Sequence, residues 1–149
     1  MPLSTAGFGK PDLIDKVRSF GVPQRYEDAT EQCVAAGADP GFGGRWLTAD
    51  AEGLALAGDT LLASSQGDSR FVVYGRQTRN FRVVAGRGFD SVEHSDGSAV
   101  STAYLGARFP RGLLVVHDGE CRPAAQDPSG GEQATTGFAF VRLDNVLQR

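Results

Sequence analysis

Asp50 and Glu52 stand two residues apart in Thr48-Ala49-Asp50-Ala51-Glu52-Gly53, and in an extended backbone that spacing turns both carboxylates to one side. Like charges held that close repel, and solvent exposure, a basic neighbour or a cation would each relieve them. Calcium suits the last option, because it accepts carboxylate, amide and water oxygens in loose geometry. Gln66, in ASSQGDS directly after an apolar run, offers a side-chain carbonyl that could complete such an oxygen shell or simply bond within a turn. A second acidic group occupies Phe89-Asp90-Ser91-Val92-Glu93-His94-Ser95-Asp96-Gly97, where Asp90 and Asp96 are candidate oxygen ligands. That loop lacks the flanking helix signal and terminal glutamate of an EF-hand.

Other chemistries are disfavoured. His94 and His117 come without a matching cysteine pair, against zinc, and His117 after LLVV reads equally well as a hydrogen-bonded residue at a strand end. Gly7-Phe8-Gly9-Lys10-Pro11 is no phosphate loop, since no serine or threonine follows the lysine. The glycines of 41–44 lack the strand, helix and ribose-binding acid of a dinucleotide site, and no serine sits in a GxSxG elbow.

The elements that must position these acids are short strands. From Thr48 to Glu120, apolar runs alternate with turns dense in Gly, Asp and Ser. Strands are predicted at 53–57 and 60–64, joined by a Gly58-Asp59 hairpin turn, then at 70–74, 80–85, 100–105, 113–117 and 137–143. A helical turn is predicted at 144–148, and 120–132 reads as polar and flexible. Upstream, 13–20 fits a short helix or an edge strand, 26–36 one or two helical turns, and residues 1–12 a flexible lead-in. About seven antiparallel strands of roughly four to six residues with no long helix argue an all-β fold, in propeller or sandwich form.

Composition agrees with one domain: 149 residues suffice for a core, while 20 glycines and 7 prolines demand many turns. A net charge of -3 and a pI near 5.3 give no electrostatic reason to expect nucleic acid or an anionic membrane as partner. No apolar run reaches the roughly 18 residues of a membrane helix, and the start shows no basic region before an apolar core, hence no signal peptide. Cys33 and Cys121 form no CxxC unit and read as two thiols or one disulfide.

LTADAEGLAL at 47–56, followed by LLASSQGDSRFVVY, GFDSVEHSDG and LGARFPRGLLVVHDG, resembles the C-terminal portion of the beta-propeller phytases in order and spacing, over about residues 45–146. The resemblance implies a partial six-bladed propeller at 21–149, about half of the family fold, preceded by a degenerate segment at 1–20. It implies calcium as cofactor, inositol phosphates (phytate) as substrate, hydrolysis of phosphomonoesters by a bound water without a covalent nucleophile, and an exported setting. By position, Asp50, Glu52, Gln66, Asp90 and Asp96 match family calcium ligands, with Glu52 and Asp96 at the chemistry. Glu31, in Thr30-Glu31-Gln32-Cys33-Val34, matches a further ligand. Arg70 and Arg76 are candidate substrate-binding charges.

The departures from the family are specific. AAGADPGFGGRW stands where a strand pair with an acidic ligand cluster is expected, as though a piece had been deleted. Gly137-Phe138-Ala139 replaces the family's NFK, and the N-terminal half with its lysines has no counterpart. Half a ring leaves apolar strands and unpaired edges, which self-association would cover.

Overall fold

A computed structural model describes residues 11–147. The described chain is essentially all-β, built from several small antiparallel sheets. A hairpin, β1 (Gln24–Glu27) and β2 (Gln32–Ala35), comes first. A four-stranded meander follows: β3 (Leu54–Ala57), β4 (Thr60–Ser65), β5 (Arg70–Tyr74) and β6 (Arg79–Phe81). A three-stranded sheet is formed by β7 (Ser98–Ser101), β8 (Leu113–Asp118) and β11 (Gly137–Arg142), in the order β11-β8-β7. A minor hairpin, β9 (Ala125–Gln126) and β10 (Glu132–Gln133), interrupts it, and α1 (Leu143–Val146) closes the chain.

Period-two alternation explains why the two larger sheets stack. In β3 and β4, Ala55, Ala57 and Leu62 share a face with Phe71, Val73 and Phe81 of β5 and β6. In the second sheet Val100, Leu114, Val116, Ala139 and Val141 share a face. These two faces bury one another, and Leu143 and Val146 of α1 complete that core. Phe71 and Phe81 stack within it at a centroid distance of 5.3 Å. A smaller cluster on the opposite face of the first sheet joins Ala63 and Val72 to Leu47, Val17 and Trp46.

The two sheets share an orientation. Gly53, just before β3, lies so close to Gly97 and Ser98 at the start of β7 that a Cβ on Gly53 would fall 2.8 Å from the Gly97 Cα. Strands β3 and β7 therefore begin side by side. Stacked, equivalently ordered antiparallel sheets are consistent with part of a β-propeller, and no ring closure occurs among the described residues.

Four expectations need correction. Residues 26–36 form the β1–β2 hairpin, not helical turns: Thr30 donates to Glu27 through its hydroxyl at 3.1 Å, and Glu31 takes φ of 54° to close the loop. Residues 13–20 form neither helix nor edge strand. Only Val17 pairs, in an isolated parallel bridge with Leu47, because burying Val17 against Ala63 and Val72 outweighs a helix too short to nucleate between Pro11 and Gly21. Within 120–132, Asp127 organises a turn by accepting the Ser129 and Gly131 N–H groups at 2.7 and 2.9 Å. The strand expected at 80–85 ends at Phe81, after which Val83 accepts the Val92 N–H at 3.0 Å. The lead-in at 1–10 lies outside the described residues.

Candidate functional site

The acids gather at the end of the stacked sheets where β4 finishes and β7 begins. Segment 48–53 is pinned there by serines. Ser65 Oγ accepts the Thr48 N–H at 2.8 Å and donates to Asp68 Oδ1 at 2.7 Å, while Ser64 Oγ accepts the Gly53 N–H at 2.8 Å. Both serines are fully buried, so these bonds satisfy polar groups that would otherwise be costly. The Asp50 carbonyl accepts the Gln66 N–H at 2.9 Å, which fixes the acidic segment to the 3-10 turn at Gln66–Asp68.

From that turn the Gln66 side-chain amide donates to Asp96 Oδ1 on the loop before β7. Behind Asp96 stands His117 of β8. Its Nδ1 accepts the Asp96 N–H at 3.3 Å and lies 3.6 Å from Asp96 Oδ2. The ring packs edge-on against Phe138 at 5.9 Å.

The other candidates are placed differently. Asp50 and Glu52 are exposed beside this edge. Asp90 is engaged by backbone: its Oδ1 accepts the Ser91 N–H at 2.8 Å and its Oδ2 the Arg122 N–H at 2.6 Å. Glu31 sits at the tip of the separate β1–β2 sheet. Arg70, at the near end of β5, donates to Asn80 at 3.0 Å and lies 3.7 Å from Asp68, which also meets Arg18 at 3.2 Å. Its charge is thus partly spent on a carboxylate. Arg76 belongs to the turn after β5, at the opposite end of that sheet from Gln66, because the antiparallel register sets Ser65 against Arg70 and Leu61 against Tyr74. Arg76 therefore lies away from the acidic edge.

Two organising acids escaped the sequence reading. Asp68 read as a turn former, yet it collects Ser65, Arg18 and Arg70. Asp118 is buried, and its Oδ1 accepts the Glu93 and Glu120 N–H groups at 3.1 and 3.3 Å. The signal was available: Asp118 follows Leu114 and Val116 on the inward parity of β8. Beside it the Cys121 thiol, 3.5 Å from Asp118 Oδ2, is pushed up in pKa by burial first and by the Asp118 charge second. Cys121 and Cys33 are both free thiols.

For calcium, the donor chemistry fits and the donor number does not complete a shell. Asp50, Glu52, Gln66 and Asp96 present the hard oxygens this ion takes, yet among the described residues no three His, Cys, Asp or Glu side chains converge on one metal position. Among the same residues no helix is long and apolar enough to cross a membrane.

The sequence model described as Phytase matches residues 24–148. A protein named 3-phytase from Bacillus subtilis (strain 168) is 31% identical over 115 residues, covering 70% of this chain and 28% of that protein. The chain thus spans little more than a quarter of that relative's length. With the family match running from β1 to α1 and over every residue of the acidic edge, the chain belongs to the Phytase family.

Proposed function

We propose that this chain is a phytase-like phosphomonoester hydrolase segment, a partial β-propeller with an internal deletion, acting on phytate in a calcium-dependent manner. The observation that carries the reading is the contact between Gln66 and Asp96, which brings two residues distant in sequence to the edge where Asp50 is also anchored. Family membership supports the reaction class. Asp50, Glu52, Gln66 and Asp96 are the side chains that would hold calcium, with Asp90 and Glu31 as outlying candidates. When bound, calcium supplies positive charge against the dense negative charge of a phosphorylated inositol.

The chain's own residues have definable tasks. Asp96 Oδ2, the carboxylate oxygen not engaged by Gln66, is the acceptor available to orient a water toward phosphorus. His117 fixes that carboxylate by accepting the Asp96 N–H. Glu52 adds a second carboxylate beside the same edge, and Arg70 contributes what charge Asp68 leaves it. Asp90 holds the loop to Arg122, a positioning task.

A second reading is a non-catalytic calcium- or polyanion-binding β domain, favoured by the incomplete donor set. Calorimetric calcium titration of wild type, Glu52→Gln and Asp96→Asn separates binding from its absence. Affinity lost in both variants supports a cation site at this edge. Affinity unchanged in both would assign these acids to solvated turns and overturn both readings. Phosphate release then divides the enzyme from the binding module.

A further inference from the structure

Strands β3 and β7 begin side by side, so β6 and β11 form the opposite edges of the two larger sheets. Between those edges, and against α1, the core opens into a groove of about 310 Å³. Phe81, Val83, Val141 and Val146 form its apolar floor, with Arg79 and Arg82 beside them. The same four apolar residues belong to the main core or pack against it, which fixes the floor in place. Among the described residues no acidic side chain lines the groove. Its volume lies at the small end of the roughly 300–1,000 Å³ of small-molecule sites.

Arg79 is out of place for its strand. The antiparallel register sets it opposite Val73 and two residues from Phe81, on the side of β6 that faces the core. A half-buried guanidinium at such a position is ordinarily matched by a carboxylate. Arg79 instead donates to the Val146 carbonyl of α1, and Arg82 to the Asp68 carbonyl. The Asp68 carboxylate is itself taken by Ser65, Arg18 and Arg70. Among the described residues no carboxylate lies within ion-pair distance of Arg79 or Arg82. Two positive charges therefore flank an apolar floor in a chain whose net charge is -3, and most of the Arg79 fork of five N–H donors has no protein acceptor.

We infer that this groove binds a small organic anion, a carboxylate or phosphate monoester carried on a compact apolar body. Arg79 takes the anionic head, because its planar fork matches either oxyanion through paired hydrogen bonds. Phe81, Val83, Val141 and Val146 take the body, and Arg82 adds charge at the rim. An anion without an apolar body gains nothing from that floor, and an apolar body without charge leaves the guanidinium unmatched. The groove shares no residue with the acidic edge of Asp50, Glu52, Gln66 and Asp96, and the inference is independent of the phytase reading.

Titration of the full chain with benzoate and with phenyl phosphate in calcium-free buffer, followed by amide NMR, tests this. Saturable shifts should appear at 79–83 and 141–146, and the tighter of the two probes names the preferred head group. Benzamide, which keeps the ring without the charge, and inorganic phosphate, which keeps the charge without the ring, should each bind about tenfold more weakly. Arg79→Gln should weaken the charged probes about tenfold and abolish the preference for benzoate over benzamide, while Arg79→Lys restores only part of it, since lysine returns the charge without the fork. Should Arg79→Gln fail to fold, Arg82→Gln at its exposed position should weaken the charged probes severalfold. Four results would each overturn the inference: no saturable shift with either probe, shifts centred outside the groove, inorganic phosphate binding as tightly as phenyl phosphate, or binding that neither glutamine variant weakens.

Discussion

The Gln66 side-chain amide donates to the Asp96 carboxylate across the junction of the two larger sheets, joining the 3-10 turn after β4 to the loop before β7. The bond lies at an exposed edge, so its net value is about 1 kcal/mol, typical of a hydrogen bond that exchanges with water. Gln66→Ala and Asp96→Ala should each cost about that much in denaturant unfolding, and the double variant less than the sum, because the two residues share one interaction. Strict additivity would show that the contact does not persist in solution.

Gly53 and Gly67 are the places where backbone meets backbone to form the acidic edge. A Cβ on Gly53 would fall 2.8 Å from the Gly97 Cα, and one on Gly67 would fall 1.9 Å from the Ala49 carbonyl oxygen. Neither neighbour is a side chain that can swing away. Alanine at either position should cost on the order of 1–3 kcal/mol by overpacking, read as a lowered denaturation midpoint. Wild-type stability in both variants would contradict the close approach.

Tyr74 donates its hydroxyl to Asp15 Oδ2 at 2.6 Å. Burial first, then the hydrogen bond and charge of Asp15, push the phenol pKa above its ordinary value of 10. A raised folded-state pKa means that the stabilisation is present in full below the unfolded value and is lost as pH rises through the folded one. Stability should therefore fall in alkali from about pH 10 upward, and Tyr74→Phe should remove that fall while costing about 1 kcal/mol at neutral pH. An alkaline limb unchanged in Tyr74→Phe would assign it to another group.

The thiols should differ in reactivity. Cys33 is exposed on β2, whereas Cys121 is half-buried beside Asp118 with its thiolate disfavoured. Alkylation by iodoacetamide at pH 8, followed by mass spectrometry, should modify Cys33 first and Cys121 severalfold more slowly. Asp118→Asn should speed the second reaction. Equal rates in the folded wild type would contradict the placement of Cys121.

The central strands were legible because their signals are local. Gly58-Asp59 between two apolar runs specifies a hairpin, and β5 falls at 70–74 as its apolar run dictates. The β1–β2 hairpin was not legible, since its exposed strands carry no buried face to impose alternation. Asp50, Glu52, Gln66 and Asp96 could be listed as oxygen donors from their residue types, but the Gln66–Asp96 contact depends on how the sheets stack. Arg76 looked equivalent to Arg70 until register set them at opposite ends of β5. Asp68 and Asp118 work by collecting partners distant in sequence, which a linear reading does not show.

Phosphate released from phytate by the purified chain near neutral pH, with calcium and then with excess chelator, beside an Asp96→Asn control, tests the functional account most directly. Release should be slow, require calcium, and disappear both with chelator and in the Asp96→Asn variant. No release from folded protein at high calcium, or release that Asp96→Asn leaves unchanged, would contradict it.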